Sequence, residues 1–96
     1  MVGGKVKSLV ITLEPAGTSV LAYVCFREIS PGEAAKTVEI EPSSVLADYD
    51  ASGQLIGLEF LHAEGADGNL MRRLSKQLHI PELAGLDLAE MCKAAA

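Results

Sequence analysis

From Val45 to Ala63 the chain carries two apolar-rich runs broken by Asp50-Ala51-Ser52-Gly53, and that combination admits little besides a β-hairpin. Asp50 suits the first position of a type I turn, where its carboxylate can accept backbone N–H bonds two residues on. Gly53 accepts the left-handed conformation that swings the chain into the return strand. A turn over these four residues sets a register in which Tyr49 faces Gln54, Asp48 faces Leu55, Ala47 faces Ile56, Leu46 faces Gly57 and Ser44 faces Glu59. Side chains alternate across a strand, so Val45, Ala47, Ile56, Leu58 and Phe60 share one face. Leu46, Leu55, Glu59 and Leu61 share the other.

Ahead of the hairpin, Lys5 to Leu13 and Thr18 to Phe26 are β-branched and aliphatic runs separated by Pro15-Ala16-Gly17, the pattern of two strands and a short turn. Val20 to Phe26 is apolar on both faces, which places it centrally in a sheet. Ala35 to Glu41 alternates with period two, with Thr37, Glu39 and Glu41 toward solvent. Pro42 then marks it as an edge strand. Beyond Gly68 the period lengthens: Leu70, Met71, Leu74 and Leu78 recur every three or four residues, an amphipathic helix capped by Asp67 or Asn69 and ended by Pro81. Asp87 followed by Glu90 has the form of a capping box, predicting a second helix through Leu88, Met91 and Cys92. Strands grouped first and helices last predict an α+β fold. The expected form is an antiparallel β-meander of about five strands followed by two C-terminal helices packed on one face. A single domain over 1–96 is expected, with a β-rich core at 5–63 and a helical segment at 68–95.

Composition narrows the function classes. Eight basic against thirteen acidic residues give a net charge of −5, which repels a phosphate backbone, and Arg72, Arg73 and Lys76 read as a solvated helix face, so no nucleic-acid partner is expected. No apolar run approaches the ~20 residues that span a bilayer. Behind Lys5 and Lys7, the apolar run Ser8 to Leu13 is too short for a signal segment and ends in Glu14-Pro15, and a cytoplasmic location with no membrane partner follows as the expectation. Cys25 and Cys92 lack metal-ligand or redox spacing and are expected as free thiols. No phosphate loop, nucleophile elbow or zinc motif is present, and no cofactor is expected.

One stretch invites a sharper reading. Asp48 to Glu59 matches an EF-hand loop letter by letter, with side-chain oxygens at Asp48, Asp50 and Ser52, then Gly53 at the sixth place, Leu55 at the eighth and Glu59 at the twelfth. The flanks argue against calcium. Pro42 leaves no room for an entering helix, and an extended exit strand at ~3.3 Å per residue carries Glu59 roughly 15–20 Å from the turn. An acid–base site from Asp48, Glu59 and His62 is the other chemical alternative. It fails on direction, with the two carboxylates far apart along the strand and His62 on the opposite face. Glu59, flanked by Leu58 and Phe60, needs exposure or a partner, for which Ser44 or Lys7 are candidates.

Taken together, Val45 to Ala63, with Asp48, Asp50, Gly53, Gly57 and Glu59 at fixed spacing, resembles the motif of the bacterial domain-of-unknown-function family 2283. Val20-Leu21-Ala22-Tyr23-Val24 resembles an earlier strand of that family. The resemblance covers about residues 7–63 and departs where Thr18 and Ser19 replace the usual acidic residue; the C-terminal helical segment is extra to it. It implies a small β-rich fold and no established activity. The residues themselves favour a non-catalytic interaction module: two helices cover one sheet face, leaving Leu46, Leu55 and Leu61 to be covered by a second copy or a small protein partner. Homodimerisation, or an antitoxin-like role of the kind found beside small toxin genes, is the expected form.

Overall fold

The structure, a computed structural model, describes residues 9–27 and 32–95. Its five strands are β1 (Val10–Ala16), β2 (Ser19–Cys25), β3 (Lys36–Glu41), β4 (Val45–Tyr49) and β5 (Leu55–Phe60). They are followed by helices α1 (Gly68–Leu78) and α2 (Leu88–Ala95), with 3-10 turns at Ala63–Gly65 and Pro81–Gly85. The α+β class and the single antiparallel sheet are as expected. The strand order is not that of a simple meander. It runs β1-β2-β5-β4-β3, so β2 pairs with β5 and the chain crosses to the far edge to start β3. This is the Greek-key arrangement, in which three hairpin-connected strands are joined by a long connection to a fourth. The connection between β2 and β3 is long enough to make that crossing, whereas a meander requires a tight turn there.

The middle position belongs to β5 rather than to β2. Ile56, Leu58 and Phe60 are buried to 1% exposure or less, because strands flank β5 on both edges and the helices cover one of its faces. β3 does lie at an edge. β1 extends through Pro15 and Ala16, since Pro15 sits at the other edge, where a missing N–H costs no ladder bond. The part of the first predicted strand before Leu9 lies outside the described residues.

The core forms on one face only. Ala22, Val24, Val45, Ala47, Leu58 and Phe60 from the sheet cluster with Met71, Leu74, Leu83 and Leu88 from the helical segment. α1 starts where Asp67 accepts the Leu70 N–H at 3.0 Å, one of the two caps expected. Its end comes earlier than Pro81: His79 takes the left-handed conformation (φ 59°), and the N–H groups of His79 and Ile80 both bond to the Ser75 carbonyl. At α2, Asp87 accepts the Glu90 N–H at 3.0 Å. No helix among the described residues is long and apolar enough to cross a membrane.

Two bulges reset the register. In the hairpin, Tyr49 pairs with Leu55 but Asp48 pairs with Gly57, Ala47 with Leu58, Leu46 with Glu59 and Val45 with Phe60. The register expected from the sequence is therefore displaced, by two residues over most of the ladder. One residue of this comes from the turn, where the Asp50 N–H bonds the Gln54 carbonyl at 2.9 Å and Tyr49 meets Leu55 in place of Gln54; the other is Ile56, the bulged residue. Opposite Tyr49, Leu55 packs against the core instead of joining Leu46 on the far face. The second bulge, at Ile40, turns Glu41 away from its expected side. Glu41 meets Arg73 of α1 at 3.0 Å, tying the edge strand to the helix.

Candidate functional site

Strand alternation leaves a second face without helices. Glu14 and Leu21, Thr12 and Tyr23, Tyr23 and Glu59, Leu46 and Glu59, Asp48 and Gly57, and Thr37 and Asp48 are cross-strand pairs on it. None of Leu21, Tyr23, Leu46 or Leu61 belongs to the core or packs against it. All four are half-buried.

The centre of this face is built around Tyr23. Its ring leans from β2 across β5 to reach β4, where the hydroxyl donates to Asp48 Oδ2 at 2.6 Å. Gly57 lies directly beneath: a Cβ there would stand 2.3 Å from the tyrosine oxygen. A residue with a side chain would block the crossing, which gives this glycine a packing role rather than a turn role. Thr37 Oγ1 donates to the other Asp48 oxygen at 2.6 Å, so both oxygens of Asp48 are occupied and β2, β4 and β3 are laced together. Burial, followed by the hydrogen bond to and the charge of Asp48, raises the Tyr23 pKa well above the ordinary phenol value.

The raised pKa has a measurable consequence. The unfolded chain ionises Tyr23 near its ordinary pKa of 10.0 while the folded chain keeps the phenol neutral. The bond to Asp48 therefore contributes stability that is present below that pH and declines above it. In an ultraviolet titration of the folded protein, Tyr23→Phe is expected to remove a step lying well above the ordinary phenol range.

Glu59 stands beside this cluster, opposite Leu46 and next to Tyr23. The displaced register alters its relation to Asp48: the two are now diagonal neighbours on one face, not four residues apart along the ladder. Ser44 is not its partner, because Leu46 stands opposite Glu59 and the Ser44 hydroxyl donates to the Glu41 carbonyl at 3.5 Å; Lys7 lies outside the described residues. Glu59 makes no ion pair with a described residue. His62 sits elsewhere, its Nδ1 2.8 Å from Ser19 Oγ. The structure thus brings Asp48 and Glu59 together and leaves His62 out.

Ser19, His62 and Glu64 form a group that sequence reasoning missed, since only the pairing of β2 with β5 gathers residues so far apart. It is not a nucleophile relay. Glu64 Oε2 lies 3.6 Å from the same Nδ1 that faces Ser19, whereas a relay needs acid and hydroxyl on opposite ring nitrogens. Glu64 instead accepts the Val20 N–H at 2.8 Å, and chiefly that backbone bond holds its pKa below the usual value. The group fastens the 3-10 turn after β5 to the start of β2.

At the hairpin tip, the oxygens that would ligate calcium serve the turn. Asp50 Oδ1 accepts from Ser52 N–H at 3.0 Å, Ser52 Oγ at 2.7 Å and Gln54 N–H at 2.9 Å, and Asp50 Oδ2 from Arg27 at 2.8 Å. Gly53 is left-handed (φ 88°) and its N–H bonds the Asp50 carbonyl at 2.9 Å. With Glu59 paired in the sheet at Leu46, the twelfth position cannot fold back on this loop. The EF-hand reading is therefore displaced by a hairpin that uses the same residues. The Ser52 hydroxyl first, then the Gln54 amide and, further down, Arg27 lower the Asp50 pKa from 3.8 to about 2. A folded pKa below the unfolded one contributes stability that is present above pH 3.8 and is lost as pH falls toward about 2. Asp50→Asn is expected to melt earlier at neutral pH and to show a flatter decline across that acid window, read by thermal denaturation at stepped pH.

A shallow groove of about 410 Å³ lies near the tip, lined by Ala35, Lys36, Val38, Tyr49, Asp50, Ala51 and Gly53. Cys25 and Cys92 are free, and burial raises both thiol pKa values, which disfavours the reactive thiolate. Among the described residues no group of three acidic, histidine or cysteine side chains is placed to hold a metal.

Comparison with known proteins fits this geometry. The family model described as Protein of unknown function (DUF2283) matches residues 21–64, from the core of β2 through the 3-10 turn. The match contains Tyr23, Asp48, Gly57 and Glu59, so the whole Tyr23 platform lies within it. β1 lies ahead of it, although the resemblance read from the sequence began near residue 7, and both α-helices follow it. No curated protein and no solved structure matches the chain.

Proposed function

We propose that this chain, with its central DUF2283 segment, is a non-catalytic protein-interaction module whose working surface is the helix-free face of the sheet. One observation carries the reading: the helical segment packs on one face, while Leu21, Tyr23, Leu46 and Leu61 on the other stay outside the core. The surface is stiff, because Tyr23, Thr37 and Asp48 link three strands across it, and a pre-ordered surface loses little conformational entropy on binding. The carboxylates of Asp48 and Asp50 are spent on that linkage and on the turn. Neutralising another protein, as an antitoxin does, is a narrower form of the same reading.

The test compares the wild-type chain with Leu46→Arg. Leu46 lies outside the core, so the variant is expected to keep its melting temperature within about 2 °C while losing co-purification with whatever chain the wild type retains. Identical sets of retained proteins for the two, with both monomeric by light scattering at all concentrations, would rule the reading out.

A further inference from the structure

The helix-free face differs from the rest of the molecule in charge as well as cover. Glu14, Glu39, Asp48 and Glu59 lie on it through their pairs with Leu21, Leu46, Thr37 and Tyr23. Among the described residues, strand alternation brings one cation to this side, Arg27, two residues beyond Cys25 at the hairpin end, where Asp50 and Glu33 pair with it. The other described cations lie elsewhere: Arg72, Arg73 and Lys76 on α1, Lys93 on α2 and Lys36 beside Tyr49. The apolar floor of Leu21, Tyr23 and Leu46 is therefore flanked by Glu14, Glu39, Asp48 and Glu59, and its charge is net acidic.

Building on the interaction reading above, we infer that the occupant of this face is a cationic segment of another protein, with apolar and lysine or arginine side chains interleaved, and not a second copy of this chain. A two-fold dimer through this face would set the four carboxylates of one copy against the same four of the other, and like charges across an interface oppose association. A partner strand that alternates apolar and basic side chains would place the former on Tyr23 and Leu46 and the latter beside Glu14 and Glu59. Glu59, which has no cationic partner among the described residues, would then gain one. The acidic rim also speeds encounter with a basic partner, an effect that salt weakens.

The probe is a short peptide of alternating lysine and valine, titrated into the full chain and followed by amide NMR shifts, with an alternating glutamate–valine peptide as control. Saturable shifts centred on Tyr23, Leu46 and Glu59 are expected for the lysine peptide only. They should weaken about tenfold in the Glu14→Gln, Glu59→Gln double variant, which alters no side-chain hydrogen bond among the described residues. Shifts scattered over all acidic residues, or unchanged affinity in the double variant, would overturn the inference. A dimer by light scattering that Leu46→Arg dissolves would also overturn it while leaving the interaction reading intact. A monomer that binds neither peptide would count against both.

Discussion

Phe60→Ala is expected to remove about 3–5 kcal/mol of stability, read by urea denaturation. Phe60 is 1% exposed and sits on the middle strand between Ala22 and Val45. Both neighbours are small enough to leave room for its ring, so neither can fill the space it vacates. The ring is the largest wholly buried side chain and joins sheet to helices within one cluster. Small domains hold only about 5–15 kcal/mol in total, so the variant should be at or near the edge of folding. A loss below about 1 kcal/mol would mean that the helices do not pack on this face.

Gly57→Ala is the second large effect, and its origin is different. A methyl group at this position would lie 2.3 Å from Oη, 2.6 Å from Cζ and 2.8 Å from Cε2 of Tyr23. The ring must then swing off β5 and release Asp48. The expected cost is about 1–3 kcal/mol, from overpacking and from the lost hydrogen bond together. The clash is with a side chain, so its removal should cancel it: in a Tyr23→Ala background the same glycine substitution is expected to be close to neutral. A double-mutant cycle measures this coupling directly. Purely additive costs would show that Gly57 is needed for its backbone alone.

Much of the fold was legible in the sequence for identifiable reasons. Alternation in Lys36 to Glu41, the three-and-four spacing from Leu70 to Leu78, and the caps at Asp67 and Asp87 are local signals, and each gave its element. The strand order was not legible, because nothing in residues 26–35 states which edge the chain returns to. The hairpin register failed for a sharper reason: the turn takes in Gln54, which bonds Asp50, and Ile56 bulges, and neither extra residue carries a local mark. The first set Leu55 opposite Tyr49 and into the core, and the two together brought Glu59 diagonal to Asp48. Gly57 was visible as part of a family motif, yet its purpose was hidden, since the tyrosine that requires it lies three strands earlier in the chain.

The helix-free face also emerged in altered form. Leu46 and Leu61 remain outside the core, Leu55 leaves, and Leu21 and Tyr23 take its place. Tyr23 could have been found from the sequence: it interrupts the apolar run from Val20 to Cys25 at a position whose neighbours, Ala22 and Val24, both point into the core. Its hydroxyl therefore needed a partner on the other side.

Whether that face stands open in the free chain is decided most directly by adding a soluble paramagnetic agent to dilute protein and reading side-chain NMR line widths. Strong broadening is expected at the Leu21 and Leu46 methyl groups and at the Tyr23 ring, with Met71, Leu74 and Leu88 remaining sharp. Protection of Leu21, Leu46 and Tyr23 equal to that of Leu74 would contradict an uncovered working surface.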